Sequence, residues 1–154
     1  MQFREHLKFE LSEIPLSELD SLAKKIADEL RNHSFFCLWL IGDIGAGKTT
    51  LTGNILRNMG LDSKIAVTSP TFTYLSDYKI NKKNYAHLDF YRVDSSRHTF
   101  SDLLSYCDFD GLFVEWPENL GTDLSAIAPT HILRIEKSED LQSRNYLLYE
   151  ASSV

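Results

Sequence analysis

Gly42-Asp43-Ile44-Gly45-Ala46-Gly47-Lys48-Thr49 fills the pattern G-x-x-x-x-G-K-[ST] at every fixed position, and each fixed residue type has a task in holding a polyphosphate. Glycines let the backbone turn tightly and bring successive N–H groups close to phosphate oxygens. The lysine reaches the β- and γ-phosphates, and the hydroxyl after it takes one position on Mg²⁺. A helix starting at Lys48 would aim its positive end at the same anion. The expected nucleotide contacts are Gly42, Asp43, Ile44, Gly45, Ala46, Gly47, Lys48, Thr49 and Thr50. The expected ligands are ATP and Mg²⁺. A guanine-reading Asn-Lys-x-Asp pattern is missing, because Asn81-Lys82-Lys83-Asn84 ends in Asn.

Such a loop needs a further carboxylate to hold the metal and orient the attacking nucleophile. Glu115 follows the apolar run Leu112-Phe113-Val114, which places it at the C-terminal end of a buried strand, where ligands of open α/β sheets collect. The bland alternative is a solvated carboxylate at a strand end. Asp89 is the second candidate, in His87-Leu88-Asp89-Phe90-Tyr91-Arg92, where strand alternation puts His87, Asp89 and Tyr91 on one face. His87 and Asp89 are half a zinc site at most, since no third ligand has a suitable spacing. The reading therefore gives Lys48, Asp89 and Glu115 to catalysis, and Thr49, Asp89 and Glu115 to the metal. Arg92 either pairs with Asp89 or faces the γ-phosphate. Ser69-Pro70-Thr71-Phe72 is a polar kink whose hydroxyls could sense that phosphate, though alone it is an ordinary turn. Trp116 is taken first as a packing residue, and Lys82-Lys83 as a solvated hairpin tip.

These residues need an α/β scaffold. Phe3, Leu7, Phe9 and Leu11 alternate as in a strand, and Ser17 is placed to cap a helix carrying Leu19, Leu22, Ala23, Ile26, Ala27 and Leu30, with Asn32 at its stop. The apolar run from Phe35 to Ile41 predicts a strand buried on both faces, as in a parallel sheet. A helix from Lys48 to Met59 stops at Gly60, and a short strand ends at Val67. Strands over Tyr74–Ile80 and Tyr85–Phe90 flank the turn Asn81–Asn84 as a hairpin. Leu103-Leu104 belong to a short helix, Pro117 halts the strand before Glu115, and late strands cover His131–Glu136 and Tyr146–Glu150. The expected architecture is one P-loop NTPase domain over residues 1–154, with a mixed, largely parallel central sheet flanked by helices.

The 154 residues suffice for one domain with a proper core. A net charge of −6 argues against broad electrostatic capture of nucleic acid, where a basic face would be needed. Cys37 and Cys107 have no metal-type spacing, and Cys37 lies in the apolar run as a buried thiol. Phe35–Ile41 is too short to span a bilayer, and the N-terminus has no signal-peptide pattern. A cytoplasmic protein is expected.

Taken together, the loop through Thr50, Ser69–Phe72, His87–Arg92 and Val114-Glu115-Trp116-Pro117-Glu118 resemble, in order and rough spacing, the TsaE (YjeE) family, over residues 14 to 150. That family is the bacterial ATPase of tRNA threonylcarbamoyladenosine (t6A) biosynthesis. The resemblance implies that Lys48 and the loop bind ATP, that Thr49 and Glu115 serve Mg²⁺, and that Asp89 and the Ser69–Phe72 segment form two switches. It also implies that Arg144 approaches the nucleotide. The implied partner is the TsaB–TsaD complex, with tRNA met only through it, and ATP hydrolysis, weak alone, resets that assembly. One departure is Asp94-Ser95-Ser96-Arg97-His98-Thr99, where the family carries an acidic stretch. The competing reading is a small-molecule or nucleotide kinase on the same loop, for which Arg92 and Arg97 are a thin lid. A module that binds ATP without hydrolysing it would leave Asp89 and Glu115 structural.

Overall fold

The computed structural model describes residues 2–70, 73–92, 108–120 and 127–154. Thr71, Phe72, the Asp94–Thr99 segment with Arg97, the helix expected at Leu103-Leu104, and Cys107 lie outside the described residues.

The chain runs as β1 (Phe3–Pro15), α1 (Leu19–Arg31), β2 (Phe36–Ile41), α2 (Lys48–Asn58), β3 (Leu75–Ile80), β4 (Lys83–Asp89), β5 (Gly111–Glu115), β6 (His131–Lys137) and β7 (Ser143–Ser153). The strands form one seven-stranded sheet in the order β1-β7-β6-β2-β5-β4-β3. The four central strands, β6, β2, β5 and β4, are parallel. The outer pairings β1–β7, β6–β7 and β3–β4 are antiparallel. This is the mixed α/β sheet expected from the sequence.

Alternation along β2 divides the core. Phe36, Leu38 and Leu40 join α1, α2, Phe113, Leu133 and Ile135 on one face, while Cys37 and Trp39 pack with Ala86, Leu88, Leu112 and Val114 on the other. Both faces of β2 are thus buried, which is why its sequence is continuously apolar. Both described α-helices lie on the first face. α1 gives it an unbroken stripe of Leu19, Leu22, Ala23, Ile26, Ala27 and Leu30, all buried, at the spacing of one helix face.

Four local expectations are corrected. Ser17 does not cap α1: Pro15 ends β1, a 3-10 turn takes Leu16–Glu18, and the cap position falls to Glu18 with no side-chain hydrogen bond. The strand of β2 begins at Phe36, leaving Phe35 half exposed. No strand ends at Val67. After Gly60, a turn closed by Ile65 N–H to the Asp62 carbonyl redirects the chain, and Val67 packs against Gly53 of α2 instead of beside a strand. The hairpin turn is two residues long. Asn81 and Lys82 both have positive φ, 51° and 64°, the turn whose twist matches that of the strands it joins, so Lys83 and Asn84 belong to β4.

Candidate active site

The phosphate loop connects the C-terminal end of β2 to α2, the place where ligands bind in open α/β sheets. Gly45 and Gly47 hold φ of 75° and 102°, conformations costly for a residue with a Cβ. At Gly42 the constraint is space: a Cβ there would stand 2.9 Å from the Ile135 carbonyl oxygen of β6. The loop is therefore seated tightly on the sheet.

Lys48 is 6% exposed. Its ammonium donates to the carbonyls of Gly42 (2.6 Å) and Asp43 (2.9 Å) and lies 4.3 Å from the centre of the Trp116 ring. Burial holds its pKa below the usual lysine value, opposed by the charges of Glu115, Glu118, Asp89 and Asp43. The lysine is already turned into its own loop, where phosphate oxygens could replace the carbonyls.

Thr49, in the first turn of α2, donates its hydroxyl to the Glu115 carboxylate at 2.9 and 3.1 Å. Glu115 ends β5 and is 3% exposed. In the parallel register Asp89 of β4 stands directly beside it. Asp89 is held from two sides: the Tyr91 N–H donates to Oδ1 at 2.9 Å, and the Ser69 hydroxyl bonds Oδ2. Two buried carboxylates thus sit side by side, with a hydroxyl and an ammonium. The oxygen-rich donor set suits Mg²⁺, a hard cation that binds through one or two carboxylates plus substrate phosphates. The metal contacts would be Thr49, Glu115 and Asp89.

His87 has a place here that the sequence reading did not give it. It lies on the same face of β4 as Asp89 and is fully buried, with Nε2 2.5 Å from Glu115 Oε2. An imidazole donating there fixes the orientation of the carboxylate. The available signal was its place two residues before Asp89 on an alternating strand.

Lys48, Thr49, Thr50, Ser69, Asp89, Tyr91, Arg92, Glu115 and Trp116 line one cavity of about 390 Å³ with Ile44, Gly45 and Gly47. Trp116 is both a wall of this cavity and a partner of the second core cluster. It has a positive φ of 56°, and its ring packs 5.1 Å from that of Tyr91. Ser69 and Asp89 of the two expected switches are joined here.

Arg144 stands on another side of the loop. Its guanidinium donates to the carbonyls of Ala46 (3.3 Å), Gly45 (3.4 Å), Leu141 (3.0 Å) and Ser143 (2.9 Å), so it braces the loop backbone. It also lines a second cavity of about 170 Å³ with Ile14, Leu16, Leu19, Gln142 and Tyr146, which shares Gly47 and Thr50 with the first.

A family model and the curated relatives agree on one family. The family model described as threonylcarbamoyl adenosine biosynthesis protein TsaE matches residues 15–146. The tRNA threonylcarbamoyladenosine biosynthesis protein TsaE of Aquifex aeolicus is 37% identical over 100 residues, covering 63% of this chain and 68% of that protein. The protein of the same name from Haemophilus influenzae is 36% identical over 100 residues, 62% of each chain. That from Synechocystis is 32% identical over 110 residues, 68% of each. In fold, the crystal structure of Bacillus subtilis YdiB superposes with a TM-score of 0.65 at 21% identity, covering 99% of this chain and 89% of that one. The chain belongs to the TsaE family of threonylcarbamoyl adenosine biosynthesis proteins.

Proposed function

We propose that this protein binds and hydrolyses ATP with Mg²⁺ and that its hydrolysis sustains tRNA t6A formation by a TsaB–TsaD complex. The observation that carries the reading is the convergence of Lys48, Thr49, Asp89 and Glu115 on one cavity, with the Thr49 hydroxyl 2.9 Å from Glu115. The printed names of the TsaE relatives support the pathway.

In this reading the triphosphate lies along the loop with its γ-phosphate toward Glu115 and Asp89. The nucleobase then extends past Gly47 and Thr50 into the second cavity, whose wall of Ile14, Leu16, Leu19 and Tyr146 offers apolar contact. Lys48 exchanges carbonyl partners for β- and γ-phosphate oxygens, under the Trp116 ring. Magnesium, when bound, neutralises charge developing on the transferred phosphoryl group. Thr49 and Glu115 would hold it, His87 keeps Glu115 oriented, and Asp89 orients the attacking water. The Ser69–Asp89 contact couples that carboxylate to the polar kink, so the state of the γ-phosphate can be passed to a partner surface. Hydrolysis at such a site is suited to shifting a protein–protein equilibrium.

The test is reconstituted t6A formation with TsaB and TsaD, tRNA and excess substrates. Multiple turnovers should require this chain and ATP, and Lys48→Ala should not restore them. Lys48→Ala should also weaken ATP binding by about thirtyfold, since a charged hydrogen-bond donor is worth about 2 kcal/mol. Full turnover without the chain would refute the t6A role, and unchanged affinity in Lys48→Ala would refute the nucleotide site. Phosphorylation of a small acceptor would favour the kinase reading.

A further inference from the structure

At the end of the sheet opposite the phosphate loop, α1 finishes against the start of β6. Glu29 and His33, four residues apart on the last turns of α1 and beyond, face His131, the first residue of β6. Their ligand atoms all lie within 4.8 Å of one another, and among the described residues no other group of three histidine, cysteine or carboxylate side chains converges in this way. Glu29 Oε1 is 3.6 Å from His131 Nε2 and 3.9 Å from His33 Nε2. Four ligands around zinc at about 2.0–2.1 Å stand about 3.4 Å apart along the edges of the tetrahedron. The two edges from Glu29 would close by about 0.2 and 0.5 Å, and the His33–His131 edge starts within 4.8 Å.

The buried imidazole supplies an independent sign. His131 is fully buried, and its Nε2 has no hydrogen-bond partner, a state that buried polar atoms rarely keep. Its other nitrogen is held: Nδ1 lies 2.9 Å from the Thr130 hydroxyl. That hydroxyl accepts from the Cys37 N–H and can donate to the Cys37 carbonyl, which leaves Nδ1–H to donate to it and Nε2 with a free lone pair aimed at Glu29 and His33. A metal-bound histidine usually has this arrangement, one nitrogen on the metal and the other anchored behind.

A lysine stands near the same place. Lys8 of β1 puts its ammonium 3.5 Å from Glu29 Oε1 and 3.6 Å from Glu150, and Glu150 is the cross-strand neighbour of His131. The surroundings are thus already arranged for positive charge. As placed, the ammonium pairs with the carboxylates of Glu29 and Glu150 and leaves the His131 Nε2 lone pair without a donor. A divalent cation can engage that lone pair, and a long lysine side chain can swing to Glu150 alone.

We propose that Glu29, His33 and His131 form a binding site for a borderline divalent cation of the zinc class, which pins the end of α1 to the start of β6. Its ligand set of two imidazoles and one carboxylate is unlike the oxygen set at Thr49, Asp89 and Glu115, so the two sites select different metals. Glu29 and His33 are partly exposed, which gives the ion a path in. The role is structural, because the strands carry the catalytic residues at their other ends.

The full chain, stripped with chelator and free of nucleotide and Mg²⁺, is titrated with Zn²⁺ by calorimetry. Co²⁺ is substituted in parallel to read four-coordinate geometry from its visible absorption. The expected result is one Zn²⁺ per chain and a rise in Tm with Zn²⁺. His33→Ala and Glu29→Gln should each lose at least about tenfold in affinity, Lys8→Met should bind more tightly, and Lys48→Ala should bind as wild type. His33→Ala changes a surface residue, so its folding, checked by circular dichroism, keeps the comparison valid where His131→Asn fails to fold. Absence of stoichiometric binding to the wild-type chain overturns the proposal. So does an affinity that is unchanged in His33→Ala, or binding confined to the Lys8→Met variant, which would make the lysine the resident cation.

Discussion

Glu115 receives the Thr49 hydroxyl and the His87 ring together, and its neighbour across the β4–β5 register is Asp89. Buried carboxylates so close repel one another unless a cation or donors stand between them, and the donors present come from α2 (Thr49), β4 (His87), the residues just after β4 (Tyr91) and the kink at Ser69. Replacing either carboxylate by its amide removes charge while leaving shape and the loop unchanged. Glu115→Gln and Asp89→Asn should therefore still bind ATP. Their hydrolysis should fall by at least about tenfold, equivalent to about 1.4 kcal/mol of barrier. Phosphate release measured beside calorimetric ATP affinity separates the two effects. If both variants turn over at the wild-type rate, these residues only support the sheet.

At the scale of elements, the turn between β6 and β7 positions Arg144 against the phosphate loop. Asp140 accepts the N–H groups of Gln142 and Ser143 at 3.0 and 3.1 Å and the Ser143 hydroxyl at 3.1 Å. Directly after Ser143, Arg144 braces Gly45 and Ala46 of the phosphate loop. The backbone donors, first that of Gln142, hold the Asp140 carboxyl below its ordinary value. A depressed folded-state pKa means that the stabilisation is present above the ordinary carboxylate range and is lost as pH falls through the lower folded value. Asp140→Asn should be less stable than wild type at neutral pH, by a small margin because the group is exposed. The difference should vanish in acid, as read by denaturant midpoints across pH. A constant difference would assign the effect to shape alone.

Much of this level was legible from sequence, for physical reasons. β2, and β5 as far as Val114, are apolar without interruption because both faces are buried, and α1 carries its stripe at helical spacing. The loop was legible because its chemistry requires fixed residue types. What escaped were features set by partners distant in sequence. His87 meets Glu115 only through the β4–β5 register, and Arg144 meets Ala46 only after β7 has paired with β6 and β1. The β3–β4 hairpin was legible and only the length of its turn escaped, because a lysine at positive φ carries no local signature. Val67 hid because a short apolar residue before a kink has the same pattern in a strand and in a packed crossover.

For the whole molecule, the site joins parts that the chain contributes separately: β2 and α2 through the loop, β4 and β5 through the carboxylates, and β7 through Arg144. A ligand that touches all of them favours the folded state as a unit, because the unfolded chain offers no such site. At a free ATP–Mg²⁺ concentration of about 100 times Kd the stabilisation is about 2.7 kcal/mol. For a chain of this size that corresponds to a rise in Tm of about 5–10 °C. Scanning calorimetry of the full chain should show that rise with ATP and Mg²⁺ together. The rise should be smaller with inorganic tripolyphosphate and Mg²⁺, since the cavity beside Ile14, Leu16 and Tyr146 would then lack its base. Lys48→Ala should show little shift at the same concentrations. An equal rise with ATP and tripolyphosphate would remove the base from the second cavity, and no rise with either would remove the nucleotide from the loop.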